Sequence, residues 1–133
     1  MKRHTLATLL LLIGATCVSR GQGLFNYTYE IRTVDGINSA NDDYAPTLSK
    51  DRATLLLTST RENGSLGEAD IFAANRTQGG YGSPVNPGSP LNTGGNDGAV
   101  SIAADGKTVV FSADDGVGGN GSTDLYIAEI TDG

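Results

Sequence analysis

At 133 residues, with one cysteine, one histidine and no tryptophan, the chain has room for one small domain and few groups for nucleophilic or imidazole-metal chemistry. Fifteen Asp and Glu against nine Lys and Arg give a net charge of −6. Such a surface repels phosphate backbones and anionic lipid, which argues against nucleic-acid and membrane-surface partners. The 19 glycines, together with many Asn and Asp, indicate frequent turns between short strands.

The N-terminus carries its own signal. Lys2, Arg3 and His4 precede an apolar run, Leu6 to Ile13, and a small, polar stretch follows from Gly14 to Gly21. The apolar run is shorter than the about 20 residues of a membrane span, and the order of charged, apolar and small residues is that of a secretory signal peptide. Residues 1–21 are therefore read as a signal, with cleavage after Gly21. Cys17 follows the apolar core as a lipoprotein cysteine does, but Gly14 and Thr16 depart from a lipobox. Loss of residues 1–21 would remove Lys2, Arg3, Arg20, His4 and Cys17, leaving six basic against fifteen acidic residues and no thiol.

Beyond the signal the chain repeats itself. Asp51 and Asp105 stand 54 residues apart and each precedes a Thr-apolar-apolar-apolar run, Thr54–Leu57 and Thr108–Phe111. The same offset, without a gap, pairs Tyr27 with Tyr81, Asp43 with Asp97, Gly64 with Gly118, Gly67 with Gly121, Asp70 with Asp124 and Phe72 with Tyr126. A period of this length points to propellers, solenoids or arrays. In chain order, Phe25–Thr33 is predicted as an outer strand, Ala45–Ser49 as a short first strand and Thr54–Ser59 as a strand buried on both faces. Ala69–Asn75 is its neighbour. The second copy repeats these as Tyr81–Val85, Ala99–Ala103, Thr108–Ala113 and Thr123–Glu129. After the signal, no segment has helical periodicity. The predicted class is all-β, with two four-stranded β-propeller blades of about 54 residues, residues 22–79 and 80–133.

The residues that carry this pattern also resemble a known family. Asn41-Asp42, Ala45-Pro46-Thr47-Leu48-Ser49, Asp51, Leu55–Leu57, Ser59, Arg61, Gly64, Gly67 and Asp70-Ile71-Phe72 resemble the WD-repeat-like blade of TolB-type propellers. The linker from Gly79-Gly80-Tyr81 to Pro90-Leu91-Asn92-Thr93 is similar to that of the OmpA-associated group. Two departures stand out. Arg52-Ala53 replaces a glycine turn, and Asp114-Asp115 replaces a polar residue and Arg. The resemblance implies protein partners in the cell envelope, hence a periplasmic or outer-membrane-associated location. Closed propellers have about four to eight blades. Two blades therefore suggest the start of a longer propeller or a truncated frame, and self-association is the alternative way to close the ring.

Chemistry is sparse after residue 21. The absence of His and Cys removes Ser-His-Asp and Cys-His systems and the usual zinc ligands. The pairs Asp42-Asp43 and Asp114-Asp115 are sequence neighbours, which on a strand point to opposite faces. No enzymatic activity and no cofactor are expected. The candidate metal site is a calcium site of Asp114, Asp115, Asn120 and Asp124 in one glycine-rich loop, since hard cations take several oxygens from flexible backbone. The competing reading is that Asp70 and Asp124 bind backbone amides of their loops. The expected function is a non-enzymatic protein-binding or scaffolding module of the cell envelope. Alternatives are the propeller portion of an exported prolyl oligopeptidase-like hydrolase, whose Gly-x-Ser-x-Gly elbow is absent here, and a calcium- or glycan-binding surface protein.

Overall fold

The computed structural model describes residues 17–20, 28–114 and 118–131. Among these every regular element is a strand, and every strand-to-strand ladder is antiparallel. The chain divides into two compact units, residues 1–33 and 34–133. In the first, β1 (Cys17–Arg20) pairs with β2 (Thr28–Ile31), with Cys17 opposite Ile31 and Arg20 opposite Thr28. The basic and apolar regions of the proposed signal, and its cleavage position at Gly21, lie outside the described residues. So do residues 25–27 of the predicted outer strand, whose described part takes β1 as its partner.

The second unit holds two sheets. In the first, β3 (Asp43–Leu48), β4 (Thr54–Ser59), β5 (Asp70–Thr77) and β6 (Gly80–Tyr81) lie in chain order. The other consists of β7 (Asp97–Ile102), β8 (Thr108–Ala113) and β9 (Asp124–Glu129). Each of β7, β8 and β9 begins 54 residues after β3, β4 and β5. The correspondence extends to irregularities: both first strands shift register, between Tyr44 and Thr47 and between Gly98 and Ser101. Each bulge contains an alanine in the left-handed region, Ala45 at φ 48 and Ala99 at φ 49. Pairing therefore starts at Asp43 and Asp97, two residues ahead of the predicted strands.

The fourth strand is where the prediction and the structure part. Tyr81–Val85 was expected to open the second copy, but β6 and Val85 lie on the outer edge of β5. Gly82 N donates to Asn75 O at 2.9 Å, and Ala73 and Val85 exchange two bonds of 2.8 Å. Pro84, which has no amide to donate, stands between these bonded positions, and β6 itself spans two residues. Asn92 then completes the edge with its side chain. Its Oδ1 accepts from Ile71 N at 2.8 Å, and its Nδ2 donates to Ile71 O at 2.7 Å. Asn92 is 1% exposed, so these bonds replace a missing strand in a place without water. Among the described residues the second sheet has three strands rather than the expected four.

Packing follows from the strand faces. Leu56 and Ile71 on one face of the first sheet form a core with Val100, Val109, Phe111 and Ala113 of the second. On the opposite face Leu55, Leu57, Phe72 and Ala74 pack with Ile37 and Tyr81. Full burial of a side chain such as Ile71 or Phe72 is worth about 1.5–3 kcal/mol. Thus β4 is buried on both faces, as its apolar run predicts. The matching run in β8 is not, since Val109 and Phe111 are buried and Val110 is exposed. The sheets approach closely at Gly98, where a Cβ would lie 2.6 Å from Thr58 Cγ2. Ala99 N donates to Thr58 Oγ1 there at 2.9 Å.

Both β3–β4 and β7–β8 turn through a left-handed residue, Arg52 at φ 59 and Gly106 at φ 74. Glycine adopts this region freely, whereas an L side chain meets its own carbonyl. Arg52→Gly should raise stability by about 0.5–1 kcal/mol in urea unfolding, the strain relieved less the entropy glycine adds to the unfolded chain. Asn92→Ala should lower it by about 2–4 kcal/mol in the same measurement, because it leaves both Ile71 backbone groups buried without partners.

Candidate functional site

The polar chemistry gathers where β3, β5, β7 and β9 begin. Asp43, Ser59 and Asp70 are directly opposite one another in the first sheet, as are Asp97, Ala113 and Asp124 in the second. Directly opposed residues share a face, so each sheet carries two carboxylates flanking one small residue. Asp70 Oδ2 accepts from Leu66 N at 2.8 Å and Gly67 N at 3.1 Å. Asp124 Oδ2 accepts from Asn120 N at 2.8 Å and Gly121 N at 3.0 Å. In both loops one carboxylate oxygen organises the turn that leads into the strand.

The four residues of the predicted calcium site are divided. Asp124 and the Asn120 backbone meet in the bond just described, and the Asn120 residue is exposed. Asp114 turns elsewhere: Oδ1 accepts from Asn96 N at 2.6 Å and Oδ2 from Asn96 Nδ2 at 2.8 Å. The Asn96 side-chain and backbone bonds hold the Asp114 carboxyl below its ordinary value. Asp115 lies outside the described residues. Among the described residues no group of three or more His, Cys, Asp or Glu is placed to hold a metal ion.

The most elaborate network surrounds Asp43. Its Oδ2 accepts from Ser39 N at 2.5 Å and Ser39 Oγ at 2.9 Å. Its Oδ1 accepts from Ser59 Oγ and Arg61 Nη2, each at 2.7 Å. Arg61 also donates to Ile37 O at 3.0 Å, and its guanidinium lies 4.7 Å from the centre of the Phe72 ring. The Arg61 and Asp43 side chains are 13% and 9% exposed, so the pair is mostly shielded from water. Sequence reasoning missed this network. Its trace in the sequence is that Ala113 and Asp115 stand in the second copy where the first has Ser59 and Arg61.

Two surfaces complete the inventory. An open cavity of about 690 Å³ lies between the β3–β4 and β7–β8 turns, with Leu56, Ile102 and Ile130 below Lys50, Asp51, Asp105 and Lys107. Its carboxylates serve their turns: Asp51 Oδ1 accepts from Ala53 N at 2.9 Å, and Asp105 Oδ1 from Lys107 N at 2.8 Å and Thr108 N at 2.9 Å. The other surface is apolar. Val110, Leu125 and Ile127 are 39%, 78% and 72% exposed, while their counterparts Leu56 and Ile71 are 6% and 0% exposed and Ala73 packs against the core. Comparison of the chain with protein-family models, curated proteins and solved structures finds no match.

The Asp43 network makes stability depend on pH. Burial acts to raise the Asp43 carboxyl, and the bonds from Ser39, Ser59 and Arg61 outweigh it, bringing the group to about 2 from an ordinary 3.8. A depressed carboxyl stabilises the fold fully above its unfolded value and loses that contribution as pH falls through its folded one. The urea midpoint should therefore fall as pH drops from about 4 toward about 2. Asp43→Asn should lower the midpoint at neutral pH and flatten this decline. The exposed Asp105, also brought to about 2 by bonds from Thr108 and Lys107, contributes with the lowered Asp51 and Asp114 to a residual slope common to both proteins.

Proposed function

We propose that this chain is an exported, non-enzymatic β-repeat segment whose two sheets are blades of propeller type, serving as a protein-binding or scaffolding module in the cell envelope. Export rests on the charged, apolar and small order of residues 1–21. The blade reading is supported by the 54-residue repeat, which extends to the paired bulges at Ala45 and Ala99. The envelope assignment rests on the resemblance to TolB-type and OmpA-associated repeats.

One observation carries the binding role. The face of β8–β9 that bears Val110, Leu125 and Ile127 is open, although the same face of the first sheet is covered by the second. A covered sheet face of this kind is built to take another sheet, and an apolar patch left open on a small protein marks an interaction site. The partner surface is a second β-sheet face with apolar residues at the positions of Val109 and Phe111. The acidic groups that line the open cavity, Asp51 and Asp105, accept from amides of their own turns.

Light scattering on the chain released from residues 1–21 tests the reading. The protein should associate at micromolar concentration, and Leu125→Lys with Ile127→Lys should return it to a monomer with unchanged far-ultraviolet circular dichroism. A wild-type protein that stays monomeric and binds no apolar dye would remove the proposal.

A further inference from the structure

The two sheets place the same aspartate in the same geometry and then treat it differently. Asp97 Oδ2 accepts from Thr93 N at 2.5 Å and Thr93 Oγ1 at 2.9 Å, reproducing the bonds of Asp43 Oδ2 with Ser39. With one oxygen fixed identically, Asp97 Oδ1 is aimed at the position where Asp43 Oδ1 meets Ser59 and Arg61. In the second sheet those donors are gone. Ala113 stands 54 residues after Ser59, and Asp115 stands 54 after Arg61. Asp97 is 1% exposed, and its Oδ1, like Asp70 Oδ1 in the first sheet, is buried with no hydrogen-bond partner among the described residues. A buried carboxylate oxygen without a donor or a cation is strongly disfavoured.

A third difference points the same way. Phe72, whose ring lies under the Arg61 guanidinium, is matched by Tyr126, which adds an oxygen. That hydroxyl and the Asp124 carboxylate both border Gly119, where a built Cβ would meet Asp124 Oδ2 at 2.5 Å and Tyr126 Oη at 2.7 Å. Asp124 shares its face with Asp97, on the other side of Ala113. From the first sheet to the second, the site thus loses a guanidinium and has a tyrosine hydroxyl in place of a serine one. These are the changes that replace a built-in cation by a bound one.

We propose that the second sheet binds a hard cation of the calcium class over Ala113, between the carboxylates of Asp97 and Asp124, in the place that the Arg61 guanidinium takes over Ser59 in the first. The Tyr126 hydroxyl supplies a further oxygen. Asp114, engaged on both oxygens by Asn96, is not a ligand. The ion neutralises the buried Asp97 carboxylate and ties β7 to β9 across β8, as Arg61 ties Asp43 to Ile37.

Isothermal titration of the full chain with calcium chloride, paired with thermal unfolding in calcium and in chelator, tests this. One site per chain is expected, with a rise in Tm of about 5 °C at saturating calcium. Asp97→Asn should abolish both the heat and the rise. Should that variant fail to fold, Ala113→Ser with Asp115→Arg decides, because it transplants the first sheet's own arrangement. It should fold in chelator, match or exceed the wild-type Tm there, and no longer respond to calcium. A wild-type chain that gives neither heat nor a shift overturns the proposal, as does either variant binding calcium as the wild type does.

Discussion

The contact on which the larger unit depends is the one between the two sheets, Leu56 and Ile71 against Val109 and Phe111. That contact buries one apolar face of each sheet against the other. The apolar contact is reinforced at one end by polar ones. Gly98 lets β7 close on Thr58, whose hydroxyl accepts from Ala99 N, and Asp97 N donates to Ala69 O at 2.8 Å. Spacing, register and the placement of the aspartates at the strand starts follow from that approach. A side chain at position 98 would push the sheets apart and separate the polar bonds from the apolar packing they support.

Much of this architecture was legible in the sequence because it is periodic. An ungapped offset of 54 residues aligns turn aspartates, turn glycines and strand apolars, and the starts of β7, β8 and β9 follow those of β3, β4 and β5 to the residue. What was not legible was not periodic. The Thr108–Ala113 run looks as buried as Thr54–Ser59, yet composition does not say whether a neighbouring sheet lies on both sides. The edge of β5 is closed by a mixture of a two-residue strand, a bridge at Val85 and a side-chain amide, and no strand propensity describes that mixture. Asp114, Asn120 and Asp124 are near in sequence and suggested one loop site. The structure gives Asp114 to Asn96 and brings Asp124 to the same face as Asp97, across a separation in sequence that no local motif spans.

The departures from the repeat are more informative than the matches. Where the copies agree, as in the left-handed Ala45 and Ala99, the shared residue serves the shared backbone. Where they differ, local physics must differ also. Arg52 holds a conformation that Gly106 adopts without strain, yet its turn closes with the same bond, Arg52 N to Ser49 O at 2.8 Å against Gly106 N to Ala103 O at 3.0 Å. Ser59, Arg61 and Phe72 form one satisfied cluster around Asp43, and all three positions change together in the second copy. The scaffold of the two copies stays the same while these contacting positions differ.

The side chain of Asn92 has a consequence for how the molecule can grow. By bonding both backbone groups of Ile71 it seals the outer edge of β5, and Val85 and Gly82 seal the positions beside it. The outer edge of β9 has no paired strand among the described residues, and the adjoining face is apolar and open. The unit therefore has a head and a tail. If like units were to add at the tail, the addition would be vectorial, and only a rotation that returned to the start would end the series.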